Sequence, residues 1–303
     1  MTLRPPSLPA RASQDSALQG SDDRSLLPSR RIAYVELQVS SNFSFLRGAS
    51  HPDELALSAG ALGVKGFAVT DRNTMAGVVR AHMACKDAGL PFIVGCRLDL
   101  ICDARPEVAG ESSGQRRLTR VARTQARRPS GTQREATEAL VEPRDARPGG
   151  SFLAYPTDRA AYGRLCRLLT LGRRRAPKGE CFIDLEDLRV HADGLILVAI
   201  PPPTLDAAFM MSLIDLERQW QGRLYLGAHH HLGGDDDARL DQLAATAAQT
   251  GVPLVALNDV HFHTRSRKPL QDVLTCVRHG CTIDTAGTRL FPNAERCLKT
   301  SQE

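Results

Sequence analysis

Short apolar runs alternate with stretches of helical period along most of this chain, and that alternation constrains the fold more than any other feature. AYVELQV (33–39), GFAVT (66–70), PFIVG (91–95), FLAY (152–155), LILVAI (195–200), LYLGA (224–228) and PLVAL (253–257) have the length and apolar content of strands. Between them Pro52-Asp53-Glu54 opens a helix closed by Gly63, an amphipathic stretch runs from Thr74 to Ala88 and stops at Gly89, and a helix capped by Thr157 is expected to end at Gly172. Strands alternating with helices imply a largely parallel sheet. Seven short apolar strands suit a closed or nearly closed barrel, with an open doubly wound sheet as the alternative. In either fold the polar residues just past the strands share one end of the sheet, where ligands bind. Here they are Gln38 and Ser40, Asp71 and Arg72, Arg97, His229 to His231, and Asp259 with His261.

Two stretches break the pattern. Residues 1–31 are rich in Pro, Ser and Arg, and residues 105–150 contain no aromatic side chain and few large aliphatic ones, so neither buries enough surface to offset the entropy of ordering. They read as a disordered leader and a disordered, Arg-rich insertion. They also hold the positive charge: five Arg against three Asp in the first and ten Arg against six acids in the second, which leaves −1 of the overall +5 for the remainder. Basicity is therefore no argument for a nucleic-acid groove in the folded part, although Arg-rich arms contact phosphate non-specifically. The eight Cys are scattered without a CxxC pair, as expected of reduced thiols in a cytoplasmic protein. No apolar run is long enough for a membrane partner.

YVELQVSSNFSFLRGASHPDELALSAGALGVKGFAVTDRNTMAGVV (34–79) resembles the opening of a PHP domain, the polymerase and histidinol phosphatase module, in the version found in bacterial C-family DNA polymerases and above all in their error-prone branch. VALNDVHFHTRSRKPLQDVLTCVRHGCTI (255–283) resembles the closing motif and the start of a linker, and YGRLCRLLTLGRRRAPKGEC (162–181) resembles a segment of the error-prone branch. The resemblance spans about 33–300 apart from the insertion. It implies an α/β fold, a distorted (β/α)7 PHP-type barrel whose parts are 32–104 and 151–266, with 267–303 leading toward a polymerase core.

Metal-bound members of that family hold up to three divalent ions at strand ends and hydrolyse phosphoesters, some of them as 3′-5′ exonucleases. Matched position by position, the resemblance implies that Gln38 and Ser40 replace two His, Arg47 an Asp, Arg72 a His, Arg97 a Glu and Ser151 a His. His231, Asp259 and His261 remain as candidate ligands, with Asp71 beside them in the cleft. Guanidinium is permanently cationic and has no lone pair to donate, so the three Arg oppose cation entry. The expectation is a degenerate site with no bound cofactor, in which Arg72 or Arg97 pairs with Asp259. Any residual site would take Zn, Mn or Mg.

The implied role is scaffolding within an error-prone polymerase in DNA replication and damage-tolerant repair. Its partners would be the polymerase core, DNA through the full-length protein, and other translesion synthesis proteins. The catalytic carboxylates of C-family nucleotidyltransferases lie in a palm domain, so this chain, read as a fragment, is expected to be inactive alone. GGDDDARLD (233–241) reads instead as a loop and an acidic helix start. Two rival readings use the same residues: a metal-dependent phosphoesterase or exonuclease with a reduced site, and a DNA-binding module built from the Arg-rich cleft and insertion.

Overall fold

A computed structural model describes residues 33–101 and 148–303. The leader and nearly all of the insertion lie outside the described residues. The exception is 148–150, which open a strand and do not belong to the insertion.

Among the described residues eight strands form, one more than the apolar runs suggest. β1 (Val35–Glu36), β2 (Gly66–Val69) and β3 (Phe92–Val94) make a parallel three-stranded sheet. β4 (Cys96–Ile101), β5 (Pro148–Pro156), β6 (Leu195–Ile200), β7 (Leu224–His229) and β8 (Leu254–Leu257) make a second sheet in that order. β5 runs antiparallel to both its neighbours, so the expectation of a largely parallel sheet needs correcting at that strand. Isolated parallel bridges join the sheets at both seams, Val39 to Val260 and Arg72 to Arg97, which yields a distorted barrel.

Burial separates its two faces. Ala68, Leu153, Tyr155, Val198 and Leu257 come from strands of both sheets and fill the interior. Their sequence neighbours Phe67 and Val69 point outward, packing under α1 (Pro52–Ala61) and α2 (Val78–Asp87). Phe152, Leu197 and Leu226 meet α3 (Arg159–Arg175), α4 (Leu185–His191), α5 (Ala207–Gln219) and α6 (Asp236–Thr250) in the largest cluster. Burial on both faces is why these strands read as apolar runs without alternation.

α3 departs from its expected limits. Asp158, not Thr157, caps it by accepting a hydrogen bond from the Ala161 amide at 2.7 Å. The helix also runs through Gly172, where an added Cβ would lie 2.5 Å from Ile183 and 2.7 Å from Cys181. That glycine serves close packing and does not end the helix. Residues 267–303 supply α7 (Lys268–His279) and α8 (Ile283–Ala286) and then return to the barrel, where Cys297 bridges Phe262. No helix among the described residues is long and apolar enough to cross a membrane.

Candidate functional site

The chain leaves β8 into Asn258, Asp259, Val260 and His261 and runs beside the end of β1. Ser40 donates its amide to Val260 at 2.8 Å, and Val260 donates to Gln38 at 2.9 Å. This pairing puts Gln38, Asp259 and His261 at one mouth of the barrel, each less than a tenth exposed. Asp259 adopts a left-handed backbone conformation (φ 48°), a region that Asp tolerates better than most side chains.

The Asp259 carboxylate is fully engaged. Gln38 donates Nε2 to Oδ1 at 2.7 Å, His261 Nε2 lies 3.5 Å from the same oxygen, and the Arg296 guanidinium pairs with Oδ2. Arg296 also stacks over Phe291, 4.3 Å from the ring centroid. Gln38 passes the network on through Oε1, 2.7 Å from His229 Nε2, and the His229 ring stacks on His231 with centroids 5.4 Å apart. His231 Nε2 lies 3.1 Å from the Asn258 carbonyl, and His261 Nδ1 faces the Arg47 carbonyl.

A second constellation centres on Asp99 in β4. Arg97 donates Nε to Oδ1 at 2.8 Å, Ser151 donates its hydroxyl to the same oxygen at 2.7 Å, and Arg72 pairs with Oδ2. Although burial opposes ionisation, Arg97 and Arg72 hold the Asp99 carboxyl below its usual range. Arg72 and Arg97 therefore do not pair with Asp259 as expected; Asp99 takes both, because the Arg72–Arg97 bridge brings the two onto the edge of β4. The partner of Asp259 is Arg296, which no local sequence pattern distinguishes.

Asp71 serves neither carboxylate cluster. It accepts from the Ser41 amide and hydroxyl at 2.8 Å each and from the Ser44 hydroxyl at 2.7 Å, pinning the loop between β1 and α1. Burial pushes its carboxyl above the ordinary range.

Burial and neighbouring cations keep the histidines neutral. His229 falls to about 3, through burial and then His231 and Arg296; His231 falls to about 4, through burial and Arg296; His261 falls to about 3, through burial and Arg97. Arg296 itself is lowered to about 10 by burial and Arg97. Each of these shifts disfavours positive charge at the mouth.

A barrel closed at both seams, with its polar residues gathered at one mouth, defines a member of a known class. The PHP domain model matches residues 36–222, and the chain belongs to the PHP domain family. It is similar to the error-prone DNA polymerase of Caulobacter vibrioides, 40% identical over 89% of this chain and 21% of the relative, and to that of Ruegeria pomeroyi, 42% identical over 88% of this chain and 24% of the relative. The chain thus spans about a fifth to a quarter of the length of these relatives. A solved amidohydrolase from Chromobacterium violaceum aligns over 76% of this chain and 88% of its own at 15% identity and a TM-score of 0.49.

The residues present do not fit the divalent ions of metal-bound family members. Asp259 and His261 approach each other, but a guanidinium and a carboxamide occupy the carboxylate, and His231 is directed to a backbone carbonyl. Among the described residues no group of three or more His, Cys, Asp or Glu is arranged to hold a metal ion. Such an arrangement can hold charge and position backbone; it offers no lone-pair cluster for a Lewis acid.

Proposed function

We propose that this PHP domain serves an error-prone DNA polymerase as a non-hydrolytic structural module, with ion pairs in the places where metal-bound members hold cations. The observation that carries this reading is the Arg296–Asp259 pair: the carboxylate retained from the closing motif has a permanent cation on one oxygen and an amide donor on the other. Arg72, Arg97 and Ser151 support it, since three positions matched to ligands converge on a single carboxylate that pairs with both guanidinium groups. The partners in this reading are the polymerase core and, through it, DNA, in cytoplasmic replication and damage-tolerant synthesis.

The test is a chimera in which this chain replaces the matching region of the Caulobacter vibrioides polymerase. DNA synthesis should persist. The isolated chain should show no turnover of a phosphoester or single-stranded oligonucleotide with millimolar Mn or Zn. Turnover that disappears in His261→Ala would overturn the proposal and restore the hydrolase reading.

A further inference from the structure

α7 ends in a turn that brings two cysteines together. Gly280 takes the left-handed conformation (φ 61°), which lets the chain reverse over the last turn of the helix. The Gly280 amide donates to the Val277 carbonyl at 3.4 Å and the Cys281 amide to the Cys276 carbonyl at 3.0 Å, the two nested bonds of a Schellman turn. Such a turn sets the side chain after the glycine against the one four residues before it, a place ordinarily filled by an apolar contact. Here both positions are cysteine. Each is a free thiol, and the two thiols are hydrogen-bonding neighbours.

The two thiols differ in access. Cys276 is buried on α7, where desolvation, the contact with Cys281 and the Asp272 carboxylate push its thiol up. Asp272 lies one turn back and is itself held by Lys268 at 2.7 Å. Cys281 stands beyond the helix end and is half-buried, so a small oxidant in solvent reaches it first. The backbone bonds of the turn fix both residues, so a disulfide here joins groups that are already placed and need little further ordering. Four residues separate the two cysteines in sequence, and the spacing becomes a contact only through the turn at Gly280.

We propose that Cys276 and Cys281 form a redox modification site, oxidised by hydrogen peroxide to a disulfide that staples the C-terminal end of α7. The Cys281 sulfur attacks a peroxide oxygen, the O–O bond breaks, and Cys281 becomes a sulfenic acid as water leaves. The Cys276 sulfur then attacks the Cys281 sulfur, the S–S bond forms, and the sulfenic oxygen departs as water with the proton that Cys276 gives up. In sum the thiols lose two electrons and two protons, and the peroxide becomes two waters. The segment that carries Arg296 back to Asp259 begins at this turn, so oxidation ties down its start. The site is independent of whether the barrel mouth binds metal.

The test treats the full 303-residue chain with one equivalent of hydrogen peroxide, alkylates the free thiols and reads tryptic peptides by mass spectrometry. Trypsin cuts after Arg278, between the two cysteines, so the bond appears as a linked pair of peptides that separates on reduction with dithiothreitol. Cys276 and Cys281 should carry the link while the other six of the eight cysteines are alkylated. The melting temperature should rise by roughly 2–6 °C and return on reduction, as expected for closure of a short loop. Cys281→Ser should lose both the link and the shift. Two alkylated thiols at 276 and 281, a sulfinic acid at Cys281, or either residue joined to a different cysteine overturns the proposal. A linked chain that melts no higher than the reduced one also overturns it, because the bond then forms only by distorting the turn, and so does a shift that persists in Cys281→Ser.

Discussion

Arg296 and Asp259 meet at the barrel mouth, the guanidinium of a returning C-terminal segment on the carboxylate that follows β8. The two side chains are 23% and 11% exposed, and Gln38 holds the second carboxylate oxygen at 2.7 Å. A pair in this setting need not outperform an apolar replacement, but losing one member strands the other charge away from water.

Asp259→Asn should therefore lower stability by about 3 kcal/mol in urea denaturation. Arg296→Met should also destabilise, and the double variant should cost less than the sum, with a coupling above about 1 kcal/mol. Additive losses would show that the pair contributes no mutual stabilisation.

The three mouth histidines contribute to the acid limb of the stability profile. Their folded values of about 3 to 4 lie below the ordinary 6.5, so the unfolded chain binds more protons below that pH. Their contribution is present above about pH 6.5 and lost as pH falls toward 3 to 4. The urea midpoint should drop between pH 6.5 and 4.5, and His261→Gln should flatten that fall; an unchanged slope in the variant would remove His261 from the explanation.

Glu36 acts with the opposite sign. Burial raises its carboxyl to about 7, against hydrogen bonds from Asn258 and Tyr34 that favour the charge. The folded state keeps this proton longer than the unfolded one, so the contribution is present below about 4.5 and lost as pH rises through 7. Glu36→Gln should gain roughly 1–3 kcal/mol over the parent at pH 8, with the gain disappearing near pH 4. An equal effect at both pH values would assign it to packing.

Gly48→Ala tests the pinned loop. The new methyl would meet backbone at 2.1 Å, which cannot yield as a flexible side-chain tip could. A loss of about 1–3 kcal/mol is expected, with increased protease cleavage between Ser41 and Gly48. Parent-like resistance would mean that the loop relaxes freely.

The barrel and its mouth could be read from local pattern where both strand faces are buried. LILVAI coincides with β6, and LYLGA and PLVAL fall within one residue of β7 and β8. β4 escaped because CRLDLI alternates apolar residues with Arg97 and Asp99, whose charges face the mouth and mimic a loop after Gly95. The residues at the strand ends were recognisable by position and by family resemblance. Their partners were not: Asp99 gathers Arg72 and Ser151 from neighbouring segments of the sheet, Arg296 returns from the C-terminal segment, and neither carries a motif of its own. Arg72 and Arg97 do not reach Asp259 because a nearer carboxylate, Asp99, already engages both.

Replacement of metal ions by guanidinium–carboxylate pairs is tested most directly by elemental analysis of the purified chain after dialysis against Mn, Zn and Fe. With Arg296 on Asp259, less than about a tenth of an equivalent of any metal should remain. One equivalent or more, lost in His261→Ala, would show that the mouth still assembles a metal site and that the ion pair does not hold it closed.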